Sequence, residues 1–262
     1  MAADNADARI PYADQRKNHI LDQLLSSGRV DALAVAQALG VTGETIRKDL
    51  IALERQGLLR RVHGGAVPVQ SLAFEPAVET RTQFMSEKTR IAQAALKHLP
   101  AQGSVLIDAG STTAKVVEIF PGDRDLTVYT NTLPLAISLL TRPRLTVFTL
   151  GGRVRTTTFA EVDDWAARAL AEINVDVAFL GTNGISLHRG LTTPDPAEAA
   201  VKRRMLACAQ RRILLADHSK VGVISGAQYG QLTDVDLLIT DTDLADEQLT
   251  ELRGAGLTLE QA

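Results

Sequence analysis

At 262 residues, with 45% hydrophobic and 23% charged side chains, the chain has the composition of a globular protein with room for two modest domains. No apolar run approaches the roughly 20 residues of a membrane helix, the polar and acidic start lacks the marks of a signal or transit peptide, and the single cysteine, Cys208, excludes an internal disulfide. A cytoplasmic protein with no membrane partner is expected. The net charge of −3 hides an asymmetry: residues 1–70 hold nine Lys/Arg against eight Asp/Glu, the remainder 19 against 23. A local basic group of Arg47, Lys48, Arg55, Arg60 and Arg61 can still bind phosphates in a chain that is acidic overall.

Residues 1–14 form a polar, alanine-rich stretch expected to be a disordered tail. Residues 15–70 then carry three short helical patterns. The first places Ile20, Leu21, Leu24 and Leu25 on one side and ends at Ser26, Ser27 and Gly28. In the second, Asp31 is the cap, Leu33, Val35, Ala36 and Leu39 face inward, and Gly40 is the stop. The third starts on Thr42, whose hydroxyl can take an unpaired backbone N–H, and stops at Gly57. Its Ile46, Leu50 and Leu53 recur at i, i+4, i+7, while Thr45, Arg47 and Lys48 sit at the polar front. Three such helices with a tight turn before the last form a helix-turn-helix, and a helix that is cationic near its exposed N-terminal end suits a major groove. Residues 58–62 and 66–69 read as a hairpin around His63, Gly64 and Gly65, a wing whose Arg60, Arg61 and flexible glycine tip suit the DNA backbone or minor groove.

Residues 71–85 read as a linker, after which the pattern changes. Ser86 is expected to cap a helix bearing Ile91, Ala92, Ala95, Leu96 and Leu99. Strands are expected at 104–108, 126–130, 145–150, 175–181, 212–216 and 235–240, alternating with helices at 113–120, 133–140, 163–172, 197–210 and 246–255. That alternation predicts an α/β domain, residues 86–262, with an open, mostly parallel sheet between two helical layers.

Ligands of such sheets bind beyond the carboxyl ends of the strands. There the chain places Asp108, Gly110, Ser111, Thr112 and Thr113 immediately before a helix, Gly110 expected to let the backbone turn closely and the hydroxyls after it to face outward, an arrangement suited to phosphate or simply a capped helix start. No G-K-[ST] ending follows, so triphosphate hydrolysis is not expected. Asn131, Gly152 and Asn183 end other strands; singly they suit turns, together a polar cleft. Glu198 and Lys202 project from the middle of an apolar helix face, and a buried charge needs a partner: either a polar ligand or a purely structural ion pair. Lys220, just past a strand, is a ligand cation or a surface lysine. His218 has no second ligand at metal spacing, so neither a metal nor a cofactor is expected.

The run from Val41 to Leu50, followed by Leu53-Glu54-Arg55-Gln56-Gly57-Leu58-Leu59-Arg60-Arg61-Val62-His63-Gly64-Gly65-Ala66, resembles the DNA-binding signature of DeoR-type transcriptional regulators. Thr42 and Lys48 replace the family's usual serine and arginine. The second half is similar as well, through Glu87-Lys88-Thr89-Arg90-Ile91-Ala92, Asp108-Ala109-Gly110-Ser111-Thr112-Thr113, Thr130-Asn131, Leu150-Gly151-Gly152 and Ala216-Asp217-His218-Ser219-Lys220. The resemblance implies a winged helix-turn-helix followed by a sensor domain with the fold of ribose-5-phosphate isomerase. Double-stranded operator DNA would be contacted by Thr42, Thr45, Arg47, Lys48, Arg60, Arg61, His63, Gly64 and Gly65. A sugar phosphate effector would take its phosphate at residues 110–113 and its sugar among Asn131, Gly152, Asn183, Glu198, Lys202 and Lys220. Gly190-Leu191-Thr192-Thr193-Pro194-Asp195 resembles members tied to fructose uptake, which implies a fructose phosphate. Residues 159–163 lack a glycine that many members carry, so nothing is carried over there. A homo-oligomer, dimer or tetramer, is expected because operators are two-fold related. The alternative function is an active sugar-phosphate isomerase with an appended DNA-binding domain, Glu198 acting as base and Lys220 stabilising the enediolate.

Overall fold

The computed structural model of the chain describes residues 12–55, 58–68 and 72–262. The chain divides into two compact units between Pro76 and Ala77. The first is built from α1 (Ala13–Ser27), α2 (Ala32–Ala38) and α3 (Gly43–Arg55) with the short strands β1 (Val30–Asp31), β2 (Arg60–Val62) and β3 (Gly65–Val67). Helix α1 starts two residues inside the expected tail, whose remaining described residue is Tyr12. The expected stop at Gly57 and the end of the return strand at Val69 lie outside the described residues. Ile20, Leu24, Val35, Ile46, Leu50, Leu53, Leu59 and Ala66 pack into one core, so each expected apolar stripe supplies it, except that Leu33, in the first turn of α2, is 66% exposed and does not face inward. Strand β1 was not legible in the sequence. It pairs antiparallel with β3, which pairs in turn with β2. Gly65 makes that pairing possible: a Cβ there would stand 1.8 Å from the Val30 carbonyl oxygen. The wing hairpin is thereby tied to the helical body; at its tip Gly64, in the left-handed region at φ 79 with open space where a Cβ would stand, also accepts from Ala32 N–H at 2.9 Å through its carbonyl. The expectation of a flexible two-glycine tip is corrected at Gly65 for this reason.

The second unit begins earlier than residue 86. Val78 N–H donates to the Thr157 carbonyl at 2.8 Å, and helix α4 (Met85–Leu96) is entered through Phe84 in the left-handed region at φ 54. Ser86 is not its cap; its hydroxyl bonds Glu87. The strands are β4 (Gly103–Ile107), β5 (Leu126–Thr130), β6 (Leu145–Thr149), β7 (Arg153–Val154), β8 (Glu161–Val162), β9 (Val175–Gly181), β10 (Gly184–Ser186), β11 (Gly190–Thr193), β12 (Ala209–Leu215), β13 (Ala227–Gly230), β14 (Leu237–Thr240) and β15 (Leu259–Gln261). Between them run α5 (Ser111–Glu118), α6 (Leu133–Leu139), α7 (Asp163–Ala171), α8 (Pro196–Cys208) and α9 (Asp246–Gly254).

Seven of the strands form one sheet in the order β15-β14-β12-β9-β4-β5-β6, every pair parallel. Alternation along the strands feeds two cores. Val105, Ile107, Val128, Phe179, Ile213, Leu215 and Ile239 point to the α4, α5 and α6 side. Leu106, Ala178, Leu180, Leu214 and Leu238 point to α7, α8 and α9. A parallel sheet covered on both faces must read as near-continuous apolar runs, which is why six of its strands were visible in the sequence; β15, three residues long and only half-buried, was not. Two small additions were not: the β7–β8 hairpin and the β10-β11-β13 sheet. Their strands are two to four residues long, too short for a periodic signal. Among the described residues no helix is long and apolar enough to cross a membrane.

Candidate functional site

In the first unit the sequence places a cationic surface on α3. Thr42 caps the helix, its Oγ1 accepting from Thr45 N–H at 3.2 Å and lying 2.8 Å from Thr45 Oγ1. Arg47 and Lys48 follow on the exposed side, while Ile46, Asp49 and Leu50 are buried. Asp49 takes both Nε (2.7 Å) and a terminal nitrogen (3.2 Å) of Arg16, a fork that locks α3 to α1. On the wing, Arg60, His63 and Gly64 are exposed. Arg61 is exposed too, but Glu54 of α3 accepts from its backbone N–H (2.9 Å) and from its guanidinium, and these bonds hold the Glu54 carboxyl below the ordinary range. Arg61 therefore fixes the wing to α3 before it meets any DNA.

In the second unit the carboxyl ends of β4, β5, β9 and β12 meet as expected, but the side chains divide into three groups. The first centres on Asp108, which is fully buried. Its Oδ2 accepts from Gly181 N–H at 3.0 Å and from the Lys202 ammonium, which also donates to the Gly181 carbonyl at 2.9 Å. Asn131 receives the Ala109 N–H at 2.8 Å and lies within 3.4 Å of Asp108 Oδ1. Burial pushes the Asp108 carboxyl up, against the pull of Lys202. Burial would likewise deprotonate Lys202, but Asp108, Tyr229 and Glu198 outweigh it and hold the ammonium charged. Tyr229, buried so deeply that its phenol is pushed up to about 12, donates to the Gly181 carbonyl at 3.3 Å, and Lys202 Nζ lies 5.4 Å from its ring centroid. Asp108, Asn131 and Lys202 are thus a buried framework that sets the 108–113 loop.

That loop leads into α5, whose first turn receives no side-chain cap. Helix N-termini without a side-chain cap leave N–H groups of the kind that suit an anion. Gly110 is extended (φ 160) rather than left-handed, so the expected close turn is corrected; what glycine supplies is room, since a Cβ would lie 3.2 Å from Thr113 Oγ1. Thr113 is fully buried and donates back to the Gly110 carbonyl at 3.0 Å. Thr112 is buried as well, leaving Ser111 as the partly exposed hydroxyl. The expectation that all three hydroxyls face outward is corrected, because Thr112 and Thr113 turn into the helix–sheet core.

The second group surrounds Glu198. Its partner is not Lys202, four residues on, but Arg155, whose terminal nitrogen lies 2.6 Å away and whose Nε lies 3.3 Å from Asp195. Thr158 and Thr193 hydroxyls donate to Glu198 at 2.6 and 3.2 Å, and Thr193 also reaches Asn183 Oδ1 at 3.0 Å. Burial would raise the Glu198 pKa, yet the charges of Lys202 and Arg155 and the hydrogen bonds from Thr158 and Arg155 hold it below the ordinary carboxylate range. Arg155 and Thr158 belong to the β7–β8 hairpin. Phe159 (φ 55) and Asp163 (φ 72) take left-handed conformations there. Gly152 at its entrance could not be replaced, because a Cβ would meet the Val162 carbonyl oxygen at 2.5 Å; its place is in holding the hairpin.

The third group lies where α4 meets the end of β12. Lys88, only 4% exposed, donates to the Arg81 carbonyl at 3.2 Å and forms no ion pair within 4.0 Å among the described residues. Burial pulls its ammonium down to about 8, with Asp217 opposing and Lys220 reinforcing. Asp217 Oδ2 is buried without a hydrogen-bond partner among the described residues. Lys220, partly exposed, follows in the same turn. That turn is pinned by Asp241, which accepts from His218 N–H (2.8 Å) and lies 2.9 Å from His218 Nδ1. His218, Asp241 and Asp243 do lie at metal-binding separations, so the reading that no acid stands near His218 is corrected: the fold brings one from 23 residues away. Asp241 is engaged by the loop, which is its structural role here.

Lys88, Arg155, Thr158, Thr193, Asp217 and Tyr229 were not picked out as site residues. Only Glu198 offered a signal, since a buried carboxylate demands a cation.

The arrangement can be compared with known proteins. A family model described as the DeoR-like helix-turn-helix domain matches residues 16–71, and one described as the DeoR C terminal sensor domain matches residues 83–242. This chain belongs to the DeoR family of transcriptional regulators. Within the family it is 37% identical to the HTH-type transcriptional regulator GlpR of Haloferax volcanii over 94% of this chain and 96% of that one. It is 33% identical to the HTH-type transcriptional repressor GlcR of Bacillus subtilis, over 92% and 96%. Among solved structures, ribose 5-phosphate isomerase A from Neisseria gonorrhoeae aligns at 16% identity and a TM-score of 0.40 over 55% of this chain and 56% of that one; likeness at that level says nothing about catalysis. Helix α3 and the wing thus lie within the helix-turn-helix domain, and the sheet's carboxyl edge within the sensor domain.

Proposed function

We propose that this regulator represses genes of sugar uptake or catabolism, reads a two-fold operator with paired copies of α3 and the β2–β3 wing, and is controlled by a phosphorylated sugar at the carboxyl edge of its seven-stranded sheet. The observation that carries the sensing part is Lys88: a buried ammonium with no carboxylate within 4.0 Å among the described residues, in the same group as Lys220, is stabilised by an arriving anion. The uncapped start of α5 supports the same reading. Arg155, Glu198, Thr193 and Asn183 supply donors and acceptors for sugar hydroxyls, and a fructose phosphate is the first effector to try. The name of GlcR, a repressor, supports the sign of regulation. The isomerase alternative loses ground on electrostatics: a general base works best near the operating pH, whereas Glu198 is held below the ordinary carboxylate range by Arg155 and Lys202.

The DNA-binding assignment is tested by Arg47→Ala in a gel-shift assay with the operator region. Retention should fall, and the salt dependence of binding should flatten by about one phosphate contact, while the melting temperature stays the same. Unchanged retention would remove α3 from the interface.

A further inference from the structure

The surface of the second unit is uneven in one respect. From Leu126 to Thr141, and again over residues 145–152, the chain carries no charged residue. These stretches hold α6 and β6, and neither is buried. The inner stripe of α6, Leu135, Ala136 and Leu139, packs into the core, but Leu133, Ile137 and the adjoining Leu140 are 42%, 67% and 66% exposed. These three recur at i, i+4, i+7, one stripe along the outer side. A helix apolar on both sides belongs inside a structure. Strand β6 is the last in the sheet and pairs only with β5. On the face away from α6 its Phe148 stacks on Tyr129 at 5.2 Å, with nearly half its surface exposed. The opposite edge shows how a free edge is ordinarily protected: β15 is three residues long and carries Glu260, which pairs with His98 at 2.6 Å. Strand β6 has five residues with no proline, no charge and regular pairing throughout.

We propose that the outer stripe of α6 and the free edge of β6 form the surface on which a second copy of this chain docks about a two-fold axis. The argument for that occupant is electrostatic and geometric. In an isologous contact each patch faces itself, so any charge near the axis meets its own sign; a patch free of charge over both segments avoids this, and it offers nothing to an acidic or basic partner. A two-fold axis through an edge strand also pairs that strand antiparallel with its own copy and satisfies both rows of backbone groups. The proposal rests on the functional reading in which two half-sites are held at once, and it says where the copies meet.

The test uses the full chain without DNA or sugar. Light scattering should give the wild type an even multiple of the 28.1 kDa chain mass, and Ile137→Glu/Leu140→Glu should halve it while circular dichroism and the melting temperature show a folded protein. Ile137→Cys should be cross-linked to dimer by a short bis-maleimide, since Cys208 is buried, and Glu172→Cys at the exposed end of α7 should not. A monomeric wild type, an unchanged mass in the folded double variant, or Ile137→Cys that stays uncross-linked overturns the proposal. If the double variant does not fold, the cross-linking decides. Failure of operator binding by the wild type would sink the functional reading and leave these masses untouched.

Discussion

Lys88 carries an electrostatic cost in the folded chain, because burial strips its ammonium of water. Its pKa of about 8, against 10.5 for an ordinary lysine, corresponds to about 3 kcal/mol of destabilisation while it stays charged in the folded chain. The sign follows from proton counting: between pH 8 and 10.5 the unfolded chain binds more protons than the folded one, so stability rises with pH across that window. Lys88→Met should therefore be more stable than wild type at pH 7, by up to about 3 kcal/mol, and should lose that rise. Urea denaturation at pH 7 and pH 10 measures both. A variant less stable at pH 7 would mean that Lys88 is paired better than its surroundings indicate. The same substitution should weaken sugar-phosphate binding, whereas Arg155 is a different case: it neutralises buried Glu198, so its removal should lower stability by leaving that charge unpaired.

The elements of the first unit depend on two close contacts. Arg16 holds Asp49 of α3, and Gly65 lets β3 pass over the Val30 carbonyl. The second has the sharper consequence, because backbone atoms cannot swing aside. Gly65→Ala should separate β1 from β3, lower stability by at least about 2 kcal/mol, and displace the wing enough to weaken operator retention. Gly64→Ala, at an open position strained only by its φ of 79, should cost about 1 kcal/mol. Equal effects at the two glycines, read from melting temperature and gel shift, would show that the wing is a free loop. Arg61 belongs at this scale too, since its bonds to Glu54 make it part of the wing's anchorage to α3.

For the whole molecule the effector is a stability term. A ligand at 100 times its dissociation constant that binds only the folded state adds about 2.7 kcal/mol. A thermal-shift panel of aldose and ketose phosphates beside their unphosphorylated sugars should show this for at least one phosphate. A shift from a free sugar alone would remove the phosphate site at α5, Lys88 and Lys220. The two units have separate cores, so the shift should fall on the unfolding of residues 77–262.

Much of this architecture was legible because its signals are local. The apolar stripe of α3 and the runs of β5 and β9 repeat at the periods of helix and strand, and the strand ends fell where the polar clusters begin. The motifs around residues 41–66 and 86–220 were dense enough to place the family. Tertiary structure alone decided the polar partners. Glu198 pairs with Arg155 and Lys202 with Asp108, 94 residues away, although the spacing of Glu198 and Lys202 suggested each other. Thr113 turned inward and Asn131 became a buttress because the loop had to satisfy its own buried backbone first. Sequence patterns record which residues avoid water; which charge meets which is settled only when distant strands end at the same edge.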